Sequence, residues 1–217
     1  AEDNADLPML ARTHGQPASP TTIGKEFAVF LSRLVGIAEK IEGARKDLTG
    51  KLAGATGNFN AHTDSYSKTD WVKFSREFVR ELGLKPNLAV TQIEPRDNLA
   101  NLFQLMERAN NVLVDLARDC WNYISRDYFI QKQEKSEVGS STMPHKVNPI
   151  DFENGEGNLS KANSDLEFLA DYLTTSRAQR DLSDSTVRRN VGVAFAHSFI
   201  GYKSIGRGLS KIVPNED

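Results

Sequence analysis

The segment GSSTMPHKVNP, residues 139–149, collects polar side chains in a part of the chain that has no apolar periodicity. Lys146 and Asn148 supply a cation and an amide on a stretch bounded by Pro144 and Pro149. A carboxylate or a developing oxyanion needs such a pair of groups. The segment therefore predicts a site for an anionic group, and the alternative is a solvated lysine in a surface loop.

Two adjacent serines, Ser140 and Ser141, precede this cation. A serine here could be the nucleophile of an acyl transfer, but the Gly-x-Ser-x-Gly turn typical of that chemistry is missing from the sequence. His145 is too close along the chain to imply a proton relay to either serine. The order of residues therefore favours a different chemistry.

A histidine, His14, lies beside Thr13 in the segment RTHGQPASPTT, residues 12–22. Ser19 and Pro20 match the cap and the first position of a helix, so we expect the first long helix to begin there. The free N–H groups of such a helix start favour an anionic ligand. His14 is then either an acid or base in a reaction or an incidental histidine beside a capped helix.

Four arginines surround a predicted helix start in SRAQRDLSDSTVRRN, residues 176–190. Two precede the capping candidates Ser183, Asp184 and Ser185, and two lie in the expected first turn. The helix dipole is positive at that end, so cations there are unfavourable unless an anion binds, and phosphate is the natural candidate. The alternative is an interhelical turn held by salt bridges from Asp181 and Asp184.

Two further patterns are weak. GKLAGATGNFNAH, residues 50–62, lacks the Gly-Lys-Ser/Thr end of a phosphate-binding loop, so a turn between helices is favoured. The sequence does not indicate a metal site, because the histidines have no i, i+4 spacing and no HExxH motif or cysteine pair accompanies them. These histidines are His14, His62, His145 and His197.

The composition excludes several classes of protein. A chain of 217 residues with 39% hydrophobic content can fill a core, and a net charge of -2 gives no case for binding nucleic acid or an anionic membrane. The single cysteine, Cys120, excludes an internal disulfide and fits a cytoplasmic location. No apolar run approaches the roughly 20 residues that span a bilayer, and no signal-peptide pattern is found. Because the sequence starts without methionine, we expect a piece of a longer protein.

Apolar residues recur at helical spacing in five stretches. Helices are predicted over residues 21–48, 71–82, from after Pro95 to about 124, 156–173, and after LSDST to about 209. Thr69 or Asp70 should cap the second helix, and Gly83 should end it. No convincing alternating strand is found. The predicted fold class is therefore all-α, one elongated bundle over residues 1–217 whose long helices need partners, many from other subunits.

The polar segments together carry a resemblance to a known family. GSSTMPHKVNP is similar to the highly specific signature Gly-Ser-Ser-x-Met-Pro-x-Lys-x-Asn-Pro, and RTHGQPASPTT is similar to a Thr-His-x-Gln-Pro segment. Both are features of the fumarase/aspartase superfamily. TQIEPRD, residues 91–97, and RDLSDSTVRRN, residues 180–190, resemble its bacterial, purine-pathway branch. The resemblance runs from about Leu7 to the last residue.

The resemblance implies an activity and a fold. Enzymes of this superfamily cleave a C–N or C–O bond by anti elimination and release fumarate, without a metal or organic cofactor. The purine branch converts adenylosuccinate to AMP and the precursor SAICAR to AICAR. The chain would be the central helical domain of such an enzyme, without its N-terminal and C-terminal domains. The enzyme would be a homotetramer whose active sites draw residues from three subunits.

The resemblance also implies roles for single residues. Ser140 would be the base that takes a proton from the carbon next to a carboxylate, and Lys146 and Asn148 would bind the aci-anion that forms. His14 would protonate the leaving nitrogen, and Glu153 would hold its ring. The substrate-binding positions carried over from the family are Thr13, Gln92, Ser141, Lys146, Asn148, Arg180, Ser185 and Arg189.

Two alternatives stay open. Another lyase of the superfamily, such as one that cleaves argininosuccinate, has a leaving group without phosphate, and the arginines around Ser185 speak against it. A non-catalytic helical scaffold is the alternative from a different class. The presence of Ser140, Lys146, Asn148 and His14 argues against loss of activity by substitution, though not against loss by truncation.

Overall fold

Long helices make up most of the chain in its computed structural model, which describes residues 1–132, 143 and 146–215. The helices are α1 (Ile23–Lys46), α2 (Asn60–Ser65), α3 (Trp71–Glu81), α4 (Asp97–Ser125), α5 (Ile150–Leu173), α6 (Ser183–Val187) and α7 (Val191–Lys211). Turns of 3-10 helix lie at Glu2–Asn4 and Arg188–Asn190, and the strands are β1 (Pro8–Thr13), β2 (Gln16–Thr22), β3 (Thr49–Gly50), β4 (Lys85–Pro86), β5 (Phe129–Gln131) and β6 (Ile212–Pro214). The predicted class, a fold of long packed helices, is confirmed. No helix in these described ranges is long and apolar enough to cross a membrane.

Both ends of α3 lie where the capping residues predict them. The carboxylate of Asp70 accepts a hydrogen bond from the Lys73 amide at 2.9 Å, and Gly83, with φ of 76°, follows the end of α3. The fifth predicted helix is interrupted, because the turn Arg188–Asn190 separates α6 from α7. The arginines of that turn therefore follow a short helix instead of lying in the first turn of a long one.

Helix α5 begins earlier than the predicted start at residue 156. Gly155 and Gly157 occupy its first turns, and because glycine has a low helix propensity the local signal for a helix is weak there. Phe152 is only 1% exposed, so packing of the first turn, and not helix propensity, stabilises this start.

The beginning of the chain forms a β-hairpin, so the expectation that no strand would be found is wrong here. Strands β1 and β2 pair antiparallel around a two-residue turn, His14 and Gly15, with φ of 51° and 73°. Positive φ at both central residues is the geometry of type I′ hairpins. Pro17 and Pro20 in β2 remove backbone donors, so the segment lacks the usual appearance of a strand.

The first helix does not begin at the predicted residues. Ser19 and Pro20, predicted as its cap and first position, lie in β2, and Pro20 pairs with Leu10 across the hairpin. The cap is Thr22, whose Oγ1 accepts a hydrogen bond from the Lys25 amide at 3.2 Å. Strand pairing with β1 thus takes precedence over the local Ser-Pro signature of a helix start.

The glycine-rich segment contains more than the predicted turn between helices. Strand β3 pairs in parallel with β4, and the six-residue helix α2 follows the glycines. A Cβ on Gly57, where φ is 75°, would lie 2.0 Å from the carbonyl oxygen of Val90. Glycine is required at this position because the two backbones approach each other so closely.

The chain divides into two compact units. The first comprises Ala1–Ile37, Ala109–Ala162 and Phe195–Asp217, and the second comprises Ala38–Arg108 and Asn163–Ala194. That the whole chain is one domain stays a prediction.

Each unit has its own apolar core. In the first unit Met9, Ile23 and Phe129 are buried, and Phe27 packs edge-to-face on Phe129 with ring centroids 5.8 Å apart. This core anchors the hairpin to the start of α1. One cluster of buried apolar residues in the second unit comprises Ala100, Phe103, Leu166, Leu169, Ala170, Leu173 and Ala194.

Helices α5 and α7 approach closely in the first unit because glycines stand at their contact. A Cβ on Gly155 would lie 2.5 Å from Cγ1 of Ile205, and one on Gly201 would lie 2.5 Å from Cδ2 of Leu159. Ile205 and Leu159 are 1% and 0% exposed, so neither side chain has free space to move into.

We expect Gly155→Ala to destabilise the protein and Gly157→Ala to stabilise it. A Cβ on Gly157 meets nothing within 4 Å, so the helix propensity of alanine should raise the free energy of unfolding by up to about 1 kcal/mol. At Gly155 the clash with Ile205 should outweigh that gain and cost about 1–3 kcal/mol. Urea unfolding of both variants checks this, and shifts of the same sign would contradict the close contact.

Candidate active site

The predicted site residues fall into both units of the chain. Those of the first unit are Thr13, His14, Lys146, Asn148 and Glu153, and those of the second unit are Gln92, Arg180, Ser185 and Arg189. Ser140 and Ser141 lie outside the described residues.

His14 is exposed at the tip of the hairpin, directly after Thr13 at the end of β1. The Arg12 guanidinium fixes this tip, since Nη1 donates to the Gly15 carbonyl and Nε donates to the Tyr128 hydroxyl, both at 3.1 Å. The same guanidinium lies 5.7 Å from the centroid of the Tyr128 ring. A histidine with φ of 51° is unusual, and such backbone strain persists only where neighbouring contacts hold it. The turn therefore presents His14 rigidly to solvent.

Lys146 and Asn148 lie just before the N-terminus of α5. Lys146 is exposed and Asn148 is half-buried. The carbonyl of Val147, between them, accepts a hydrogen bond from Nε2 of Gln131 at 3.0 Å, which ties this stretch to β5. The free N–H groups of a 24-residue helix add positive potential beside the lysine. The end of α5 is thus chemically suited to a carboxylate.

Glu153 is exposed in the first turn of α5. Its Oε1 accepts a hydrogen bond from Nε1 of Trp121 at 3.0 Å. In the described part of the chain this bond comes from Trp121 and not from His14. The role of Glu153 in holding the histidine ring therefore stays a prediction.

A buried ion pair fixes the start of α5 to the end of α7. Asp151 is 6% exposed and accepts hydrogen bonds from Lys211 Nζ at 2.7 Å and from Arg207 Nε at 2.6 Å. Burial alone would raise the pKa of Asp151, but the hydrogen bonds from Lys211 and Arg207 outweigh it and lower that pKa. This anchor lies three residues after Asn148 and holds the helix end that carries the candidate anion site.

Gln92 lies in the second unit, in the irregular stretch before α4. Lys51 Nζ donates to the backbone carbonyl of Gln92 at 2.6 Å and to that of Thr91 at 3.3 Å. Burial lowers the pKa of Lys51. The glycine-rich segment thus supplies a lysine that holds the backbone of Gln92, a contact between residues 41 positions apart that no local sequence pattern indicates.

Salt bridges order the connection between α5 and α6. Asp181 accepts hydrogen bonds from the Arg177 guanidinium at 3.0 Å and from the Ser183 amide at 2.9 Å, and a further bond from the Ser183 hydroxyl. The hydrogen bonds from Ser183 lower the pKa of Asp181 to about 2. Asp184 pairs with Arg96. Both aspartates of the alternative interpretation therefore form ion pairs.

Three arginines near this connection take no part in these ion pairs. Arg180, Arg188 and Arg189 are exposed, and no ion pair reaches them from any residue in the described ranges. Ser185 is half-buried in α6, between Arg180 and the other two. Cations that the protein leaves unneutralised favour an anionic ligand. Among the residues that the structure describes, no group of three or more His, Cys, Asp or Glu side chains could hold a metal ion.

Most of the chain matches the model of a known family. Residues 1–163 match the family model described as "Lyase", and the chain therefore belongs to this lyase family. Residues 176–217 match the model described as "Adenylosuccinate lyase C-terminal".

Two named relatives are similar to the chain over nearly its whole length. The chain is 56% identical to the adenylosuccinate lyase of Dictyostelium discoideum over 100% of this chain and 47% of that protein. It is 50% identical to the adenylosuccinate lyase of Escherichia coli strain K12, over 98% of this chain and 46% of that protein. The chain thus spans about half the length of the curated relatives it matches.

The structural comparison supports the fold. The chain is similar to the crystal structure of fumarate lyase from Mesorhizobium sp. BNC1, with a TM-score of 0.80 and 22% identity. The match covers 100% of this chain and 47% of that one. At this identity the likeness shows the fold alone, and the predicted fold class is confirmed.

Proposed function

We propose that the chain is the central part of an adenylosuccinate lyase. The enzyme would eliminate fumarate from adenylosuccinate, giving AMP, and from SAICAR, giving AICAR. One observation carries the proposal: residues 176–217 match an adenylosuccinate lyase model, and this stretch holds the three arginines that form no ion pair within the described ranges. A phosphate-bearing substrate would supply an anion for Arg180 and Arg189, the two of these arginines that the resemblance places in the binding site.

The proton is removed at the carbon next to a carboxylate, with Ser140 as the base. The electrons of that C–H bond form the new double bond, and negative charge develops on the carboxylate on the way. Lys146 and Asn148 bind this carboxylate, and the N-terminus of α5 adds positive potential beside them. A serine is a weak base in water, so cations and amide donors are needed to stabilise its alkoxide and the carbanion together.

The leaving nitrogen takes the electron pair of the C–N bond and a proton from His14. Support for this role comes from the hairpin, because Arg12 and Tyr128 fix the tip that carries His14. A fixed acid loses less entropy when it meets the substrate than one on a free loop. Glu153 would hold the histidine ring.

Further side chains would bind the rest of the substrate. Gln92, Arg180, Ser185 and Arg189 would contact its succinyl and phosphate parts, and Thr13 and Ser141 complete the set.

The enzyme would be a homotetramer in which each active site takes residues from three subunits, and a monomer in sedimentation would contradict this part of the proposal. It would need neither a metal nor an organic cofactor, and its location would be cytoplasmic.

We expect Arg189→Met in the full-length enzyme to raise KM for adenylosuccinate about 10- to 100-fold, the loss of one or two charge-assisted hydrogen bonds to phosphate. Arg188→Met is the comparison variant, because Arg188 is exposed in the same turn and is not among the substrate-binding positions carried over from the family. Steady-state kinetics of the two variants check this. An unchanged KM in Arg189→Met would remove the phosphate assignment.

A further inference from the structure

Arg96 is a buried arginine in a strained position at the start of α4. It is 8% exposed, and its φ of 71° lies in the left-handed region that side chains seldom adopt. Its amide donates to Oε2 of Glu94 at 2.7 Å, and its carbonyl accepts from the Ala100 amide at 3.0 Å. Such strain persists only where other contacts require it.

The guanidinium of Arg96 contacts both ends of the stretch that joins α5 to α6. Nη2 donates to Oδ2 of Asp184 at 2.5 Å, and Nη1 donates to the carbonyl of Leu173 at 3.5 Å. Leu173 is the last residue of α5, and Asp184 is the second residue of α6. The chain between these two residues carries Arg180, and Ser185 follows directly.

The ion pair of Arg96 and Asp184 is shielded from water. Their side chains are 9% and 3% exposed, so the attraction between them is screened little. Oδ1 of Asp184 is buried and has no hydrogen-bond partner among the described residues. The carboxylate is therefore held through Oδ2 alone. Loss of the charge of Asp184 would release the stretch between α5 and α6 at its α6 end.

Glu94 extends this arrangement toward Gln92. Its Oε1 accepts hydrogen bonds from Thr49 Oγ1 at 2.6 Å and from Asn87 Nδ2 at 3.1 Å, while Oε2 holds the amide of Arg96. Gln92 lies two residues before Glu94. Fixed contacts thus run from the segment of Gln92 through Arg96 to the connection that carries the exposed arginines.

We propose that Arg96 and Asp184 are a positioning pair, which holds residues 174–190 in the orientation that the phosphate-binding side chains require. The pair itself does not touch the substrate. The expected effect on substrate binding rests on the proposed function. The claim that the pair holds residues 174–190 in place does not depend on it.

Hydrogen exchange tests the attachment without any assay of activity. In Asp184→Asn, amides of residues 174–190 should exchange at least about tenfold faster than in the wild type, because the ion pair no longer closes this region. Asp115→Asn is the control, since its partner Arg33 is exposed and lies in the first unit. Unchanged exchange in Asp184→Asn would overturn the inference.

Kinetics of the full-length enzyme test the positioning role. Asp184→Asn should raise KM for adenylosuccinate about tenfold or more, with a smaller change in kcat, because it disturbs binding more than the chemical step. The double variant Arg96→Met/Asp184→Leu buries no unpaired charge, so its melting temperature should recover. Its KM should stay raised, because apolar contact lacks the direction of a hydrogen bond. Recovery of KM together with the melting temperature would show a merely structural pair and overturn the proposal.

The two experiments separate the inference from the proposed function. A wild-type enzyme that releases no fumarate from adenylosuccinate would refute the proposed function, and hydrogen exchange would still decide whether the pair holds the connection. An active wild type with normal KM in Asp184→Asn would refute the positioning role alone.

Discussion

Replacing Ser140 by alanine in the full-length enzyme is expected to lower kcat about 10²- to 10⁴-fold, the usual contribution of a positioned general base. Binding of adenylosuccinate should be nearly unchanged, because alanine removes the proposed proton acceptor and leaves Lys146 and Asn148, the proposed ligands of the carboxylate, in place. Stopped-flow release of fumarate gives the rate, and equilibrium dialysis of adenylosuccinate gives the affinity. The two measurements together distinguish a base from a binding residue.

The matched control for this experiment is Thr142→Ala. Thr142 occupies the first of the three variable positions of the signature, and this change likewise removes a hydroxyl. Its kcat should stay within about threefold of wild type, since it is given no part in the proton transfer. A Ser140→Ala enzyme that turns over as fast as this control would assign the base to another residue.

Removing the charge of Asp151 is expected to cost about 3–5 kcal/mol of unfolding free energy at pH 7, as when one partner of a buried ion pair is lost. Asp151→Asn leaves Lys211, which is 5% exposed, without this carboxylate. Urea unfolding of wild type and variant measures the loss. In the full-length enzyme the same change should also disturb Lys146 and Asn148, because the anchor holds the start of α5.

The pH dependence of this loss follows from the lowered pKa of Asp151. A carboxyl with a lower pKa in the folded state stabilises the protein above its unfolded pKa of about 3.9, and that contribution is lost as the pH falls through the folded pKa. The difference between wild type and Asp151→Asn should therefore be full at pH 7 and shrink below about pH 4.

The control for the Asp151 experiment is the exposed pair of Asp115 and Arg33, in which Oδ2 and Nη1 are 2.7 Å apart. Asp115→Asn should cost less than about 1 kcal/mol, because water screens exposed ion pairs. Equal losses in the two variants would contradict the assignment of Asp151 as a buried anchor.

The long helices could be predicted from the sequence because their signals are local. Apolar spacing and the cap at Asp70 place α3, and the same spacing places α1 and α4. The hairpin could not be predicted in this way. Its prolines hide the strand pattern, and the pairing of Pro20 with Leu10 depends on a turn geometry at His14 that a sequence pattern does not reveal.

The candidate site divides in the same manner. His14, Lys146 and Arg189 could be singled out because each lies in a short polar segment with a recognisable order of residues. The residues that hold these segments in place could not be singled out from the sequence. Arg12 meets Tyr128 across 116 positions of sequence, and Arg96 meets Asp184 across 88. Contacts of that separation are set by the fold and leave no mark in local sequence.

The most direct test of the central claim is fumarate release by the full-length protein that contains this chain. The protein would be offered adenylosuccinate, SAICAR and, separately, argininosuccinate, and fumarate would be followed by its ultraviolet absorbance. We expect release of fumarate from the first two substrates and none from argininosuccinate. Release from argininosuccinate alone, or from none of the three, would contradict the central claim.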